Sequence, residues 1–425
     1  MSVRWARVIW IWLSITMSAR WTRIIWILFV LIMMRSVDGT HFRGMLMTYK
    51  PAGPEMPHGT MLITYRYAVR GSTDEGTRCD KNTITSRVIT GPSGIIECKR
   101  GCRGTISNVK FQCTDFSQRE DWTQGIKTFQ KFFKGPTAEI SHRGRNWIAL
   151  VKGGGEYEIR LFMGIYIRAD TGRINSSPTT AVLPIVRLQN GCNHKLSIPV
   201  DDVDGDDIRC RWAEFERFEC AGVCNSANAI AQLDYMDCSL RISGRLETGF
   251  YAAAIMIEDF DDVSSTTPLS SVPVQFLLLV FNSDAGCSSA PTFSTTTRNE
   301  GACVGVTQSF VEPITVNTGN ARGIITDIDT VSPQGLEKSE VLQRGPGEYY
   351  INITWTPERS QAGPNIFCFN AIDNIGLSSG QRCITFLVGT APPEFVEGTE
   401  SPPNGSIIQE WHNQFSIRVN RPVNI

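Results

Sequence analysis

The sequence predicts an all-β protein made of tandem immunoglobulin-like or cadherin-like antiparallel β-sandwiches stapled by disulfides. Three observations favour this fold class. Apolar and polar side chains alternate along many short segments, and no segment sustains a helical period of 3.6 residues. The 37 Gly and 21 Pro supply turn residues between these segments. The 13 cysteines are spread in groups, as is typical of disulfides in an oxidising compartment.

A chain of 425 residues exceeds one hydrophobic core, and we expect about three domains. The predicted ranges are a signal peptide at residues 1–39, an N-terminal β domain at 40–184, a β-sandwich with an acidic loop at 185–289, a β-sandwich at 290–389, and the start of a further, truncated domain at 390–425. The segments that close near residues 280 and 388 share a strand, an acidic turn, a Ser-rich bend and a final strand, with a looser copy before residue 185. We therefore predict one repeated unit, arranged like beads.

The N-terminal segment has the pattern of a signal peptide. Arg20 and Arg23 precede an apolar run at residues 24–34, and Gly39 is small enough for cleavage to follow it. Residues 1–11 are echoed by residues 17–27, so either Met1 or Met17 is the start. The alternative is an uncleaved membrane anchor.

In the first region, alternating residues at 63–69 and 157–161 predict half-buried strands. Between them lie Cys79, Cys98, Cys102 and Cys113, for which we predict disulfides Cys98–Cys102 and Cys79–Cys113. A zinc site is the less favoured alternative, because no second cysteine pair matches Cys98 and Cys102 and the nearby histidines are isolated.

Alternation also predicts strands in the second region, at residues 192–200, 208–212, 238–242, 251–257 and 272–280. The last of these is apolar on both faces and is expected to be covered on both sides. The cysteines predicted to form disulfides here are Cys192, Cys210, Cys220, Cys224 and Cys238. In the third region, Cys368 and Cys383 are predicted at facing positions of one hairpin.

Three sequons match the N-x-S/T pattern, at Asn175, Asn352 and Asn404, and are predicted glycosylation sites of a secreted chain. Asn352 alternates with inward-pointing residues of its strand and is expected to point outward.

The acidic loop at residues 201–207 is the one place that invites metal chemistry. Asp202, Asp204 and Asp206 recur at alternate positions beside Gly205, and Ca²⁺ takes several oxygen ligands. The loop is not an EF-hand, since Asp207 stands where Gly is needed and Ala213 where Glu is needed. Residues 258–262 are a candidate source of further carboxylates. The favoured interpretation is nevertheless a solvated hairpin turn, because Asp-Gly is a turn signal with or without metal, and calcium binding is the alternative.

The stretches Gly191-Cys192-Asn193-His194, residues 204–213 and residues 269–276 resemble secreted or cell-surface multidomain animal proteins of uncharacterised function. Residues 367–388 are similar to the closing hairpin of cadherin-like and hyalin-type repeats. The resemblance implies extracellular β-sandwich modules and carries no activity.

With a net charge of −1, the chain lacks the excess of basic residues that would indicate nucleic-acid binding. The five histidines are scattered, no nucleophile elbow is present, and Gly153-Gly154-Gly155 lacks the residues of a phosphate loop. We therefore predict a secreted or cell-surface recognition, adhesion or matrix protein, not an enzyme. We expect no cofactor, and calcium is the one candidate ion. The expected partner is an extracellular protein or glycan. A membrane would be engaged only through an unseen anchor or an uncleaved N-terminal segment. The alternatives are a receptor ectodomain and, less favoured, a secreted enzyme.

Overall fold

The fold is all-β, as the alternating pattern predicts. This computed structural model describes residues 42–53, 56–72, 77–320 and 323–389. Of the described residues, about 52% lie in strands and 5% in helices, which confirms the fold class. The predicted signal peptide, the segment at 390–425 and the sequon at Asn404 lie outside these residues.

The strands of residues 40–184 are β1 (Phe42–Pro51), β2 (Thr60–Arg70), β3 (Ile89–Thr90), β4 (Ile95–Arg100), β5 (Thr105–Asn108), β6 (Phe111–Ser117), β7 (Trp122–Phe132), β8 (Thr137–Gly144), β9 (Tyr157–Gly164) and β10 (Thr179–Thr180). Those of residues 185–289 are β11 (Ile185–Gln189), β12 (His194–Ser197), β13 (Val200–Asp201), β14 (Asp207–Trp212), β15 (Ala231–Asp234), β16 (Ser239–Ile242), β17 (Gly249–Phe260) and β18 (Ser270–Phe281).

The strands of residues 290–389 are β19 (Thr292–Phe293), β20 (Cys303–Val306), β21 (Phe310–Asn317), β22 (Ile325–Val331), β23 (Glu337–Lys338), β24 (Leu342–Gly345), β25 (Glu348–Trp355), β26 (Gly363–Asp373) and β27 (Arg382–Val388). One short α-helix, α1 (Lys81–Thr85), and the 3₁₀ turns Ala221–Val223, Ala227–Ala229, Cys287–Ser289 and Arg359–Gln361 complete the elements of the described residues. No helix among them is both long and apolar enough to span a membrane.

Strand β18 is the central element of the first two regions. One of its edges pairs with β17 along its whole length. The other edge pairs in turn with β9, β1 and β11. Its residues Val272, Phe276 and Leu277 are fully buried, so the prediction that this strand is covered on both faces is confirmed.

The two regions on either side of residue 184 therefore share a sheet and a continuous hydrophobic core. This differs from the predicted bead-like arrangement, in which each region would form its own sheets. The physical reason is that β18 is long enough to offer its second edge to strands from both regions. The structure also differs from the predicted looser copy of the repeat before residue 185. There, Thr179–Thr180 pairs with β13, and Ile185 already begins β11.

The third region forms its own two sheets around a separate core. The closing hairpins β17–β18 and β26–β27 correspond, as the repeat predicts. In both regions an early strand pairs in parallel with the closing strand, β11 with β18 and β20 with β27. This shared topology supports the interpretation of one repeated unit in these two regions.

The third sandwich packs against the first region. Asp115 in β6 accepts hydrogen bonds from Thr330 and Ser332, and Arg66 donates to the carbonyl oxygen of Ser332 at 2.8 Å. Arg187 bonds both Glu120 at 2.7 Å and the carbonyl oxygen of Gly376 at 2.9 Å. Buried polar contacts of this kind fix the relative position of the two bodies.

Candidate functional site

The acidic loop joins β13 to β14 as a tight turn organised by Asp202. Its Oδ1 accepts hydrogen bonds from the backbone nitrogens of Asp204 at 2.8 Å, Gly205 at 3.0 Å and Asp206 at 3.4 Å. Gly205 has a φ of +80°, a left-handed conformation that glycine adopts without a steric penalty. The segment is therefore a turn, but Asp202 is buried instead of solvated.

The three predicted calcium ligands converge in this turn. One carboxylate oxygen from each of Asp202, Asp204 and Asp206 lies within 4.8 Å of the others. Arg168 donates from its two terminal nitrogens to the two oxygens of Asp206, at 2.5 and 2.6 Å, and the side chains are only 3% and 4% exposed. A guanidinium thus supplies positive charge to the cluster, and both Asp206 oxygens are engaged by it.

Neighbouring backbone and side-chain groups hold the remaining members of this network. The backbone nitrogen of Ser176 donates to Asp204 at 2.6 Å. Asn175 accepts from Arg168 at 2.8 Å and donates to Asp259 at 2.6 Å. The loop is thereby tied to β17, which carries Asp259.

Of the acids at residues 258–262, Asp259 joins this network. Glu258 points to the other face of β17 and pairs with Arg211 at 2.8 Å. Asp262 is exposed and bonds Ser264 in its own turn. Alternate residues of a strand point to opposite faces, so consecutive acids of β17 serve different sites.

Two carboxyl groups of the network have raised pKa values. Burial, together with the nearby Asp259 and Asp206 carboxylates, raises the pKa of Asp202 to about 8. Burial raises the pKa of Asp259 to about 7, while hydrogen bonds from Asn175 and Ser270 oppose that shift. Both groups are thus held partly neutral near neutral pH.

The burial of Asn175 bears on its predicted glycosylation. This residue is 1% exposed, and the side-chain nitrogen that a glycan would modify donates to Asp259. A glycan does not fit at this position in the folded chain. Asn352 is half-buried in β25 and alternates with buried Ile351 and Ile353, so its predicted role stays a prediction.

Disulfides link twelve of the 13 cysteines, all of which lie in the described residues. The pairs are Cys79–Cys113, Cys98–Cys102, Cys192–Cys287, Cys210–Cys238, Cys220–Cys224 and Cys368–Cys383. The two pairs predicted in the first region and the pair predicted across the last hairpin are confirmed. The sequence interpretation missed Cys287, and Cys303 carries an exposed free thiol.

A second candidate site is an open groove of about 380 Å³ on the seam between the first two regions. We call it the Phe218 groove. Its main lining residues are Arg100, Glu139, Arg160, Arg217, Phe218 and Met256. Beneath it lies the face of the shared sheet formed by β8, β9, β17 and β18.

Phe218 has an unusual conformation in the loop between β14 and β15. Its φ is +58°, a left-handed conformation that bulky side chains rarely adopt. The ring is nevertheless 60% exposed, and the guanidinium of Arg160 lies 5.2 Å from its centroid. The adjacent disulfide Cys220–Cys224 and a hydrogen bond from Phe218 N to Phe215 O hold the loop. Strain of this kind persists only where the surroundings over-determine it, and it is concentrated at functional sites.

A larger cleft of about 550 Å³ lies between the first region and the third sandwich. Its lining includes Lys81, Phe116, Arg119, Asp327, Leu336 and Lys338. Arg119 donates across it to Thr326 at 2.7 Å, and Lys338 donates to the carbonyl oxygen of Ile328 at 2.6 Å. Arg119 therefore contributes to the contact between the two bodies, whereas Lys338 is held within the third sandwich.

No protein-family model matches the chain, and no curated protein matches it. Solved structures similar to parts of it include three cadherin repeats of Drosophila N-cadherin, at 10% identity over 71% of this chain and 90% of that chain, with a TM-score of 0.22. The Ig1–Ig2 domains of Dpr2 in complex with DIP-Theta give 10% identity, 77% and 94% coverage, and a TM-score of 0.18. An endo-fucoidan hydrolase of glycoside hydrolase family 107 gives 15% identity over 77% of this chain and a TM-score of 0.18, and the matched part spans 42% of that hydrolase. At these TM-scores the likenesses carry no argument about function.

Sequence reasoning did not single out Arg168 or Phe218. Arg168 pairs locally with Asp170, but its buried partner Asp206 is 38 residues away, and no local pattern indicates that contact. For Phe218 a signal existed: Phe215 and Phe218 are aromatic residues in a polar segment just before two cysteines four residues apart. A short disulfide loop beside aromatic side chains indicates a rigid surface feature.

Proposed function

We propose that this chain is an extracellular recognition or adhesion protein without catalytic activity. The twelve disulfide cysteines support the compartment, because they occur in all three regions and such bonds persist in oxidising environments. The shared β18 and the docked third sandwich support a rigid scaffold, which is what surface recognition requires.

The observation that carries the recognition role is the state of Phe218. An exposed aromatic ring costs solvation free energy, and its left-handed backbone costs conformational energy. The loop keeps both, although glycine at this position would relieve them. Aromatic side chains and arginine are the residues that dominate binding energy at interfaces, and the groove presents both.

The proposal of no catalysis rests on the histidines. His142 is buried, with its two ring nitrogens bonded to Ile95 O at 2.9 Å and to the hydroxyl of Tyr157 at 3.2 Å. His194 bonds the carbonyl oxygen of Gln189 at 2.9 Å. Both rings serve packing within the fold. We propose further that no calcium is needed, since Arg168 supplies charge to the acidic cluster.

The test has two parts. A tagged full-length chain expressed in eukaryotic cells should reach the medium or outer cell surface with the six disulfides intact by mass mapping; an intracellular chain with reduced thiols contradicts the proposal. The fluorescently labelled protein should then bind cultured cells. Phe218→Ala should weaken binding, while Phe215→Ala, 63% exposed in the same loop but outside the groove, should not. Equal binding by both variants overturns the role of Phe218.

A further inference from the structure

The Phe218 groove combines charged groups in an ordered way. The guanidinium groups of Arg100 and Arg217 lie towards its surface, and those of Arg160 and Arg211 lie deeper. Arg100 and Arg217 have side chains 66% and 55% exposed, whereas Glu139 is 15% and Glu219 is 7% exposed. Glu139 therefore holds Arg100 from below, whereas Arg217 is held by Glu214, which is itself 44% exposed.

Every guanidinium of the groove is held by at least one carboxylate. The pairs are Arg100–Glu139 at 2.5 Å, Arg160–Glu139 at 3.2 Å, Arg160–Glu158 at 3.0 Å, Arg211–Glu219 at 2.7 Å, Arg211–Glu258 at 2.8 Å and Arg217–Glu214 at 2.8 Å. Among the described residues of this network, four arginines thus face five glutamates. Only Glu139 and Glu219 of these acids line the groove, but over the whole network the formal charges nearly cancel, so no large net charge selects an anion or a cation.

A charge-balanced network still offers fixed hydrogen-bonding groups. Guanidinium nitrogens donate and carboxylate oxygens accept, in orientations set by their partners. The complementary ligand is uncharged and carries groups that both accept and donate. Hydroxyl groups meet this requirement, and several of them on one rigid ring would use several positions of the network at low entropic cost.

The aromatic ring adds a second requirement. Arg160 lies over Phe218 at 5.2 Å from the ring centroid, and the side chain remains 60% exposed, which leaves ring surface open to a ligand. An apolar C–H face fits against the negative face of an aromatic ring. A pyranose sugar presents such a face together with equatorial hydroxyls. The volume of about 380 Å³ falls in the range of small-ligand sites.

We propose that the Phe218 groove binds a neutral, pyranose-containing glycan. The inference rests on the proposed extracellular recognition function and names the class of its partner. Phe218 stacks on the sugar ring, and Arg100 and Arg217 donate to hydroxyls at the two sides. The glutamates act as positioning residues for the arginines.

The experiment uses the full-length secreted protein on an array of neutral, sialylated and sulfated oligosaccharides. We expect binding to a subset of the neutral glycans, with little change when the salt concentration is raised, because the network has no large net charge. Binding to none of the neutral glycans overturns the inference. Binding to sulfated glycans alone, lost at high salt, overturns it as well.

Variants locate the site on the protein. Phe218→Ala should weaken binding to the selected neutral glycan about tenfold, the loss expected for one stacking contact. Phe215→Ala is the matched control and should bind as the native chain does. Phe218→Trp should restore or tighten binding, which separates stacking from a folding defect. Unchanged binding by Phe218→Ala overturns the assignment to this groove.

A last measurement separates this inference from the proposed function. Cells that bind the protein are treated with glycosidases before the assay. Loss of binding supports the glycan inference. If binding persists on deglycosylated cells and Phe218→Ala still weakens it, the glycan inference is overturned. That result would still agree with the recognition function.

Discussion

Asp115 and Ser332 are 217 residues apart in the sequence, yet Ser332 donates two hydrogen bonds to the buried carboxylate of Asp115. The backbone nitrogen of Ser332 lies 2.9 Å from Oδ2, and its hydroxyl lies 2.6 Å from Oδ1. Thr330 adds a third bond at 2.7 Å. This one carboxylate satisfies three donors of β22 and its extension, and so fastens the third sandwich to the first region.

Replacing Asp115 should loosen that contact. In Asp115→Ala the backbone nitrogen and hydroxyl of Ser332 and the hydroxyl of Thr330 lose their acceptor in a buried place. We expect the free energy of unfolding to fall by about 3 kcal/mol. Urea unfolding followed by tryptophan fluorescence measures it. The control Asp284→Ala, at an exposed site, should change stability by less than about 0.5 kcal/mol; equal effects of the two variants would contradict the role of Asp115.

The stability of the protein should fall as pH rises through neutrality, on account of the Asp202 network. The folded-state pKa values of Asp202 and Asp259, about 8 and about 7, lie above the ordinary aspartate value of 3.8, so the folded chain binds more protons than the unfolded chain between these limits. Raising the pH from about 5 to about 8 therefore lowers the contribution of these groups.

Asp202→Asn tests this pH effect directly. The amide oxygen can still accept the turn hydrogen bonds, but the group no longer titrates. We expect the thermal midpoint of the variant to fall less than that of the native chain over this pH range. Asp262→Asn is the control, because hydrogen bonds from Ser264 lower the pKa of exposed Asp262 and it stays ionised throughout. If Asp202→Asn keeps the native slope, Asp202 does not cause it.

Arg168, and not a bound calcium ion, should stabilise the acidic loop. Arg168→Gln leaves the buried carboxylate of Asp206 without its cation, and we expect a loss of about 3–5 kcal/mol in unfolding free energy. Calorimetric titration of the native chain with calcium should give no saturable heat, because the bidentate pair occupies both Asp206 oxygens. Saturable calcium binding that Asp204→Ala abolishes would contradict this prediction.

The disulfides should differ in their effect on stability according to the loop they close. Cys192–Cys287 joins residues 95 apart, whereas Cys220–Cys224 joins residues 4 apart. By chain entropy, replacing the first pair with serines should cost about 4–5 kcal/mol and replacing the second about 2 kcal/mol. Urea unfolding of the two double variants measures the difference. A larger loss from the short loop would show that its packing outweighs chain entropy.

The sequence pattern was sufficient to predict structural features that depend only on residues close together in the chain. The alternation at Ile63, Tyr65 and Tyr67 marked β2, and all three are buried there. The spacing of Cys98 and Cys102 and the facing positions of Cys368 and Cys383 indicated their bonds. Pairings between residues far apart in the sequence were harder to predict. Cys287 was missed because no residue near it indicates that Cys192 is its disulfide partner.

The sequence by itself indicated which alternating side chains of the strands are buried and that most cysteines form disulfides, because these features depend on the polarity, number and spacing of the residues. Only the tertiary structure decided that β18 joins two regions in one sheet, that Arg168 meets Asp206, and that Phe218 stays exposed over a groove. The reason is physical: a strand edge offers the same backbone groups to any partner, and a charged side chain finds its counter-ion only after distant segments have packed.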